Sequence, residues 1–200
     1  MSSYGVIRHV SRRLRQLLWE EFLTDPDVLA IVPNDQAVVF SNPTDTARRS
    51  SDRLSLWLYQ VTENEFLKNQ AETRVNGADT RRRAPLALDL HYLITPFAGS
   101  GESDLLLLGK TLQILHDSAS TVLRISDEQV GQELRIVFVR HTLEELTRIW
   151  EALQEPYRLS VSYLVTVVEI DSLRTDVSGR VLDRVAGFNQ DPAAVRREEP

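Results

Sequence analysis

The chain has no cysteine, which excludes a disulfide scaffold, a thiol nucleophile and every thiolate metal site. Glycine is sparse, with eight residues scattered through 200. None forms a G-x-G-x-x-G or Walker pattern, so no phosphate-cradling loop is legible. The G-x-S-x-G nucleophile elbow is also missing, and Gly99-Ser100-Gly101 reads as a bare loop. The four histidines, His9, His91, His116 and His141, fall in different predicted elements without a His-x-x-x-His or Glu-x-x-His spacing, so neither metal nor other cofactor is expected. No apolar run approaches the ~20 residues of a membrane span. The N-terminus shows neither the apolar core nor the small-residue cleavage site of a signal peptide. A net charge of −6 speaks against a nucleic-acid binder, which usually carries a basic footprint. The expectation is a soluble, cytoplasmically made protein with no nucleic-acid partner and no direct membrane insertion.

What the chain does have is alternation. Leu54, Leu56 and Leu58 lie on one face of a period-2 segment, with Ser55, Trp57 and Tyr59 on the other. Leu86, Leu88 and Leu90 repeat the pattern against Ala87, Asp89 and His91, and both segments predict strands, 53–62 and 85–95. An amphipathic helix is predicted over 6–23, with Val6, Ile7, Val10, Leu14, Leu17 and Leu18 on its apolar arc. Asp25-Pro26 should end it. A short strand at 36–40 and a polar loop at 41–52 come next. The polar stretch 63–83, closed by Arg81-Arg82-Arg83, reads as a long loop that is functional or mobile.

A helix over 103–117, capped by Ser103 or Asp104, has Leu105, Leu108, Leu112 and Leu115 as its main stripe. Leu106, Leu107 and Ile114 spread apolar character around it, which suggests cover on more than one side. A strand at 133–139 precedes a helix at 142–153, where Thr142 and Glu145 form a capping box. Leu143, Leu146, Ile149, Trp150 and Leu153 should face the core. The longest strand should be 157–170. The order α-β-β-β-α-β-α-β gives an α+β fold, helices packed on a mostly antiparallel sheet. Residues 1–173 form the domain. Residues 174–200, with Val177, Val181, Val185 and Phe188 near helical spacing, form a C-terminal tail or an arm docking on a neighbour.

Few residues invite chemistry. Asp89 and His91, two apart on a strand, share a face, so a carboxylate could orient an imidazole, with Ser55 or Ser160 as nucleophile. The same groups also fit a polar layer in which each satisfies another. Arg8, Arg12 and Arg15, with Trp19 among them, form either a solvated face or a grip for an acidic partner. Trp57 and Tyr59 fit a core layer or a contact platform. Arg81–Arg83 fits a solvated loop end or a phosphate site.

Five blocks carry a resemblance: LRQLLWEEFL, RLSLWLYQVTENEFLKNQ, APLALDLHYLITPF, LLGKTLQILHDS and LEELTRIWEALQEPYRLSVSYLVTVVEIDS. In order and spacing, from about residue 8 to 173, they resemble the tail-terminator, or cap, proteins of extracellular contractile injection systems of the antifeeding-prophage and virulence-cassette type. The match is weakest at 71–83, 118–132 and after 174. The resemblance implies a phage tail-terminator-like fold and a structural, non-enzymatic role. A hexameric ring would sit on the last tube and sheath layers, distal to the baseplate, fixing length and anchoring the sheath. Its partners would be further copies of the chain, the inner tube protein and the sheath protein. Assembly would be cytoplasmic, with the particle later released or held at a membrane.

Candidate partner contacts are then Arg8, Arg12, Arg15, Trp19, Trp57, Tyr59, Leu106, Leu107, Val181 and Phe188. The helix at 103–117 with the strand at 53–62 would face one neighbour, and the first helix would touch tube or sheath. Two alternatives stay open: another ring of the same particle, such as a connector or baseplate-side adaptor, and a small hydrolase using Asp89 and His91.

Overall fold

The computed structural model describes residues 3–67, 73–74, 80–82, 84–123, 132–171 and 175–177. Helix α1 runs Val6–Phe22 and buries Val6, Val10, Leu14, Leu17, Leu18 and Phe22, the arc that its periodicity predicts. Asp25-Pro26 ends α1 but also starts another helix, α2 (Pro26–Ile31). Proline fits the first helical turn, where its missing N–H has no partner to lose, and the Asp25 side chain accepts from the Val28 N–H. Strand β1 is only Val38–Val39. A short helix, α3 (Pro43–Ala47), interrupts what reads as a polar loop, capped by Asn42 with Pro43 at its start.

Strands β2 (Leu54–Glu63) and β5 (Leu86–Pro96) pair antiparallel. Between them, β3 (Thr73–Arg74) and β4 (Thr80–Arg82) occupy the stretch expected to be a loop. Helix α4 (Gly101–Asp117) starts two residues earlier than expected because Ser100, not Ser103 or Asp104, is its cap. Gly99 takes a φ of +90°, a turn that glycine allows, and sets Ser100 against the Ser103 N–H at 3.1 Å. Asp104 is drawn away to accept from the Ala98 N–H at 2.6 Å and from Arg158 at 2.9 Å.

Strand β6 (Ser120–Leu123) lies where no element was legible, and β7 covers Gln132–Val139. Helix α5 (Leu143–Ala152) has the expected Thr142–Glu145 capping box. Strand β8 begins at Val161 rather than 157 and ends at Ile170, so β5, with 11 residues, is longer than β8, with 10. Strand β9 (Thr175–Val177) pairs with β4, closing a three-stranded sheet β3-β4-β9. The main sheet has the order β1-β2-β5-β8-β7-β6 and is antiparallel except at β1–β2. The fold is thus α+β, as expected.

One face of the main sheet is closed. Leu54, Leu56, Leu90, Tyr92, Ile94, Leu134, Ile136, Val165 and Val168 point into a core shared with α1, α2 and α4. The Tyr92 hydroxyl meets the Ser11 hydroxyl of α1 at 2.8 Å, so this buried phenol keeps a partner. Burial pushes its pKa up to about 12, opposed in part by that hydrogen bond. Leu86, at the strand's start, is 45% exposed and falls outside the stripe its period assigns it to.

Two apolar faces differ from expectation. In α4 the buried residues are Leu107, Leu108, Thr111, Ile114 and Leu115, while Leu105 and Leu106 point outward. In α5 only Trp150 is buried, and Leu143 is 67% exposed. A helical pattern shows that a helix has an apolar side, not that the subunit covers it.

Candidate interaction surfaces

The other face of the main sheet is only half closed. At one end Ser55, Leu93 and Thr95 are fully buried. Helix α5 is fastened on this side by Trp150, whose indole N–H donates to the Ser160 hydroxyl at 3.2 Å. At the other end Trp57, Tyr59, Asp89, His91 and Leu164 are half-buried, and Val137 is exposed. Strand register shifts between Leu58 and Gln60, so Tyr59 is an extra residue in β2. Such a bulge re-aims a side chain and increases local twist. Tyr59 stacks edge-on to His91 and tilted to Trp57, each with centroids 6.0 Å apart.

Polar groups at the half-open end of this face have partners, whereas the buried Thr95 hydroxyl has none among the described residues. The Asn64 amide donates to Asp89 at 2.9 Å, the Thr62 hydroxyl meets His91 Nε2 at 3.3 Å, and the Tyr59 hydroxyl meets His141 Nε2 at 3.2 Å. His141 Nδ1 lies 3.5 Å from a Glu145 carboxylate oxygen. Burial lowers the His91 pKa, against the raising influence of Asp89, so the neutral imidazole is favoured. Burial also pushes the Tyr59 phenol up.

The Asp89–His91 dyad expected of a hydrolase is not assembled, since each side chain is held by another residue. Ser55 donates to the Ser41 carbonyl at 2.8 Å and is fully buried. Ser160 is engaged by Trp150. Among the described residues no group of three His, Asp or Glu side chains could hold a metal ion. No described helix is long and apolar enough to cross a membrane.

The outer side of α1 carries the arginine row. Tyr4 (78% exposed), Arg8 and Arg12 are exposed. Arg15 is half-buried over the Phe40 ring, 5.0 Å from its centroid, and Trp19 packs partly on the core. The Trp19 indole is therefore shared between surface and core. Among the described residues Arg8 and Arg12 make no ion pair. Tyr4 escapes a reading that begins at Val6, although its spacing of four from Arg8 puts it on the same row.

Leu106 is 44% exposed on the outer side of α4, beside Leu105 and Gly109. Leu107, the other leucine offered as a partner contact, is fully buried in the subunit core and unavailable to a partner. Helix α4 lies with α1 on the closed side, whereas Trp57 and Tyr59 lie on the half-open side. A neighbour that met both this helix and the Trp57–Tyr59 side of the 53–62 strand would therefore have to reach around the sheet. Val181 and Phe188 lie outside the described residues.

A shallow cleft, about 260 Å³, opens where α5 meets the residues after it, between Trp150, Tyr157, Phe97, Pro43 and Glu155. Trp150 and Tyr157 meet edge to face at 6.3 Å, and Arg158 stacks on Phe97 at 4.4 Å. Sequence offered no signal for it, because its walls come from three separate segments.

Comparison with solved structures places this arrangement among known ones. The chain is similar to a chain of the sheath/tube terminator, in its extended state, of the extracellular contractile injection system PVC. The TM-score is 0.55 at 20% identity, covering 86% of this chain and 64% of that one. It is also similar to the tube-terminating cap of the anti-feeding prophage, AFP, with a TM-score of 0.54 at 20% identity, covering 82% and 58%. The chain therefore spans about three fifths of the length of each of these proteins. No curated protein matches the sequence. The model of the family described as "Pvc16 N-terminal domain" matches residues 9–184, which hold every described strand and all five helices but the start of α1, and the chain belongs to that family.

Proposed function

We infer that the chain is a terminator subunit, the cap of a contractile injection particle, and that several copies close into a six-membered ring on the last tube and sheath layers. The carrying observation is the shared fold with two such terminators, joined to surfaces uncovered among the described residues: the outer side of α1, the outward leucines of α4 and the Trp57–Tyr59 end of the sheet. The ring ends polymerisation, fixes particle length and anchors the sheath at the end distal to the baseplate. Its partners are further copies, the inner tube protein and the sheath protein. Assembly takes place in the cytoplasm, before release or membrane anchoring of the particle.

A closed ring joins two different patches of one chain. The outward leucines of α4 and the Trp57–Tyr59 platform lie on opposite sides of the sheet, which suits such a contact. The reading assigns no chemistry to Asp89 and His91, which have separate partners.

Electron microscopy of particles made without the protein is the test. Overlong or ragged tubes and sheaths are the expected result. Complete loss of particles would point instead to a connector or baseplate-side ring.

A further inference from the structure

The arginine row on α1 stands out in a chain whose net charge is −6. Arg8, Arg12 and Arg15 recur at helical spacing, and Arg8 and Arg12 are exposed without an ion pair among the described residues. The opposite side of the subunit carries the matching charge. Helix α5 presents Glu144 and Glu151 on one row, continued by Glu155 beyond the helix end. Glu144 is held only by an exposed pair with Arg148 at 2.7 Å, a contact that exchanges at little cost. Glu151 and Glu155 have no side-chain partner among the described residues. The negative end of the α5 dipole lies beside them. By helix rise Arg8–Arg15 and Glu144–Glu151 each span about 10 Å, seven residues apart in both helices.

Apolar surface accompanies the charge on both sides. Tyr4 flanks the arginines, and Leu143 stands uncovered at the start of α5. Glu155 lines the cleft with Tyr157, whose exposed ring gives a guanidinium a flat seat. The two rows sit on opposite faces of the sheet, so they cannot meet within one subunit. A twofold axis would have to bring both α1–α5 contacts into a single interface, which rows on opposite faces cannot do, so the contact must run head to tail.

We propose that the arginine row of α1 in one copy docks on the Glu144–Glu155 edge of α5 in the next, a head-to-tail contact between copies of this chain. This rests on the ring reading above and names the surface that closes it. It assigns α1 to a neighbouring copy in place of the tube or sheath.

The absence of native cysteine makes a direct test simple. A chain carrying both Arg12→Cys and Glu151→Cys, assembled into particles and mildly oxidised, should run as a ladder of multimers on non-reducing gels. Each single variant should stay at the monomer position. Three results would overturn the contact: dimers from Arg12→Cys alone, cross-links to tube or sheath protein, or no ladder from particles that carry the protein at their ends. A second arm uses charge. Arg8→Glu with Arg12→Glu should reduce the fraction of correctly terminated particles about tenfold, the scale of one lost rim charge cluster. Adding Glu151→Arg and Glu155→Arg should restore it, and failure to restore also counts against the contact. Micrographs separate this inference from the cap reading. Protein at the particle ends without a ladder defeats only the contact, and a ladder with protein absent from the ends defeats only the cap.

Discussion

The two faces of the main sheet are built from the same strands and end in opposite states. On the closed face, Leu90, Tyr92, Val165 and Leu134 are all at or near zero exposure beneath α1 and α4. On the other face α5 covers only one end, and Trp57, Tyr59, His91 and Val137 stay within reach of solvent. The closed face holds the subunit together by removing apolar area from water. The half-open face mixes polar and aromatic side chains at its uncovered end, with Asp89 and His91 beside Trp57 and Tyr59. A surface of that kind suits a contact made and completed by another molecule.

Mutation should divide along the same line. Leu90→Ala, on the closed face, should destabilise the subunit by about 2 to 5 kcal/mol in urea unfolding. Val137→Ala, on the other, should stay within about 0.5 kcal/mol. Equal losses would erase the distinction.

Tyr92→Phe should cost about 1 kcal/mol by removing the hydrogen bond to Ser11. It should also change the alkaline limb. The unfolded tyrosine ionises near 10 and the folded one at about 12, so the unfolded state loses its proton first. The contribution is fully present below about pH 10 and is lost as pH rises through that window. Unfolding curves for wild type should weaken there, and those for Tyr92→Phe should weaken less.

Thr142→Ala removes the capping box and should cost about 1 kcal/mol, confined to α5. Hydrogen exchange should quicken in α5 amides and leave α1 amides unchanged. If α1 responded equally, α5 would be integral to the closed core.

The smallest effect belongs to His91. Burial lowers its folded pKa below that of the unfolded chain, so its contribution is present above pH ~6.5 and is lost as pH falls through the folded value. Nuclear magnetic resonance titration of the imidazole should show the lowered midpoint, and His91→Gln should remove that acid-side dependence.

How much could be read in advance follows from the range of each signal. Helix α1, strands β2 and β5 and the Thr142–Glu145 box are legible because each depends on residues within a few positions. The Ser100 cap is not legible locally because Gly99 has to take a positive φ before Ser100 can reach the helix. Strand β6 is not legible because its four residues carry too short an alternation to stand apart. The candidate surfaces were partly legible. Arg8 and Arg12 are exposed as their place on the polar arc suggested. Leu107 faces inward, because in α4 the covered side is chosen by where α1 and β5 lie.

By itself the sequence determined which residues can form strands and helices, and which side of each is apolar, since period and local capping are properties of the chain. Tertiary structure alone decided which apolar sides find cover. Leu143 and Leu106 remain outside because no other part of the described chain lies over them. It also decided that the arginine row and the acidic edge of α5 are separated by a sheet, since strand order and crossover direction place α1 and α5 on opposite faces. Complementary charges within one chain are thereby kept from pairing with each other.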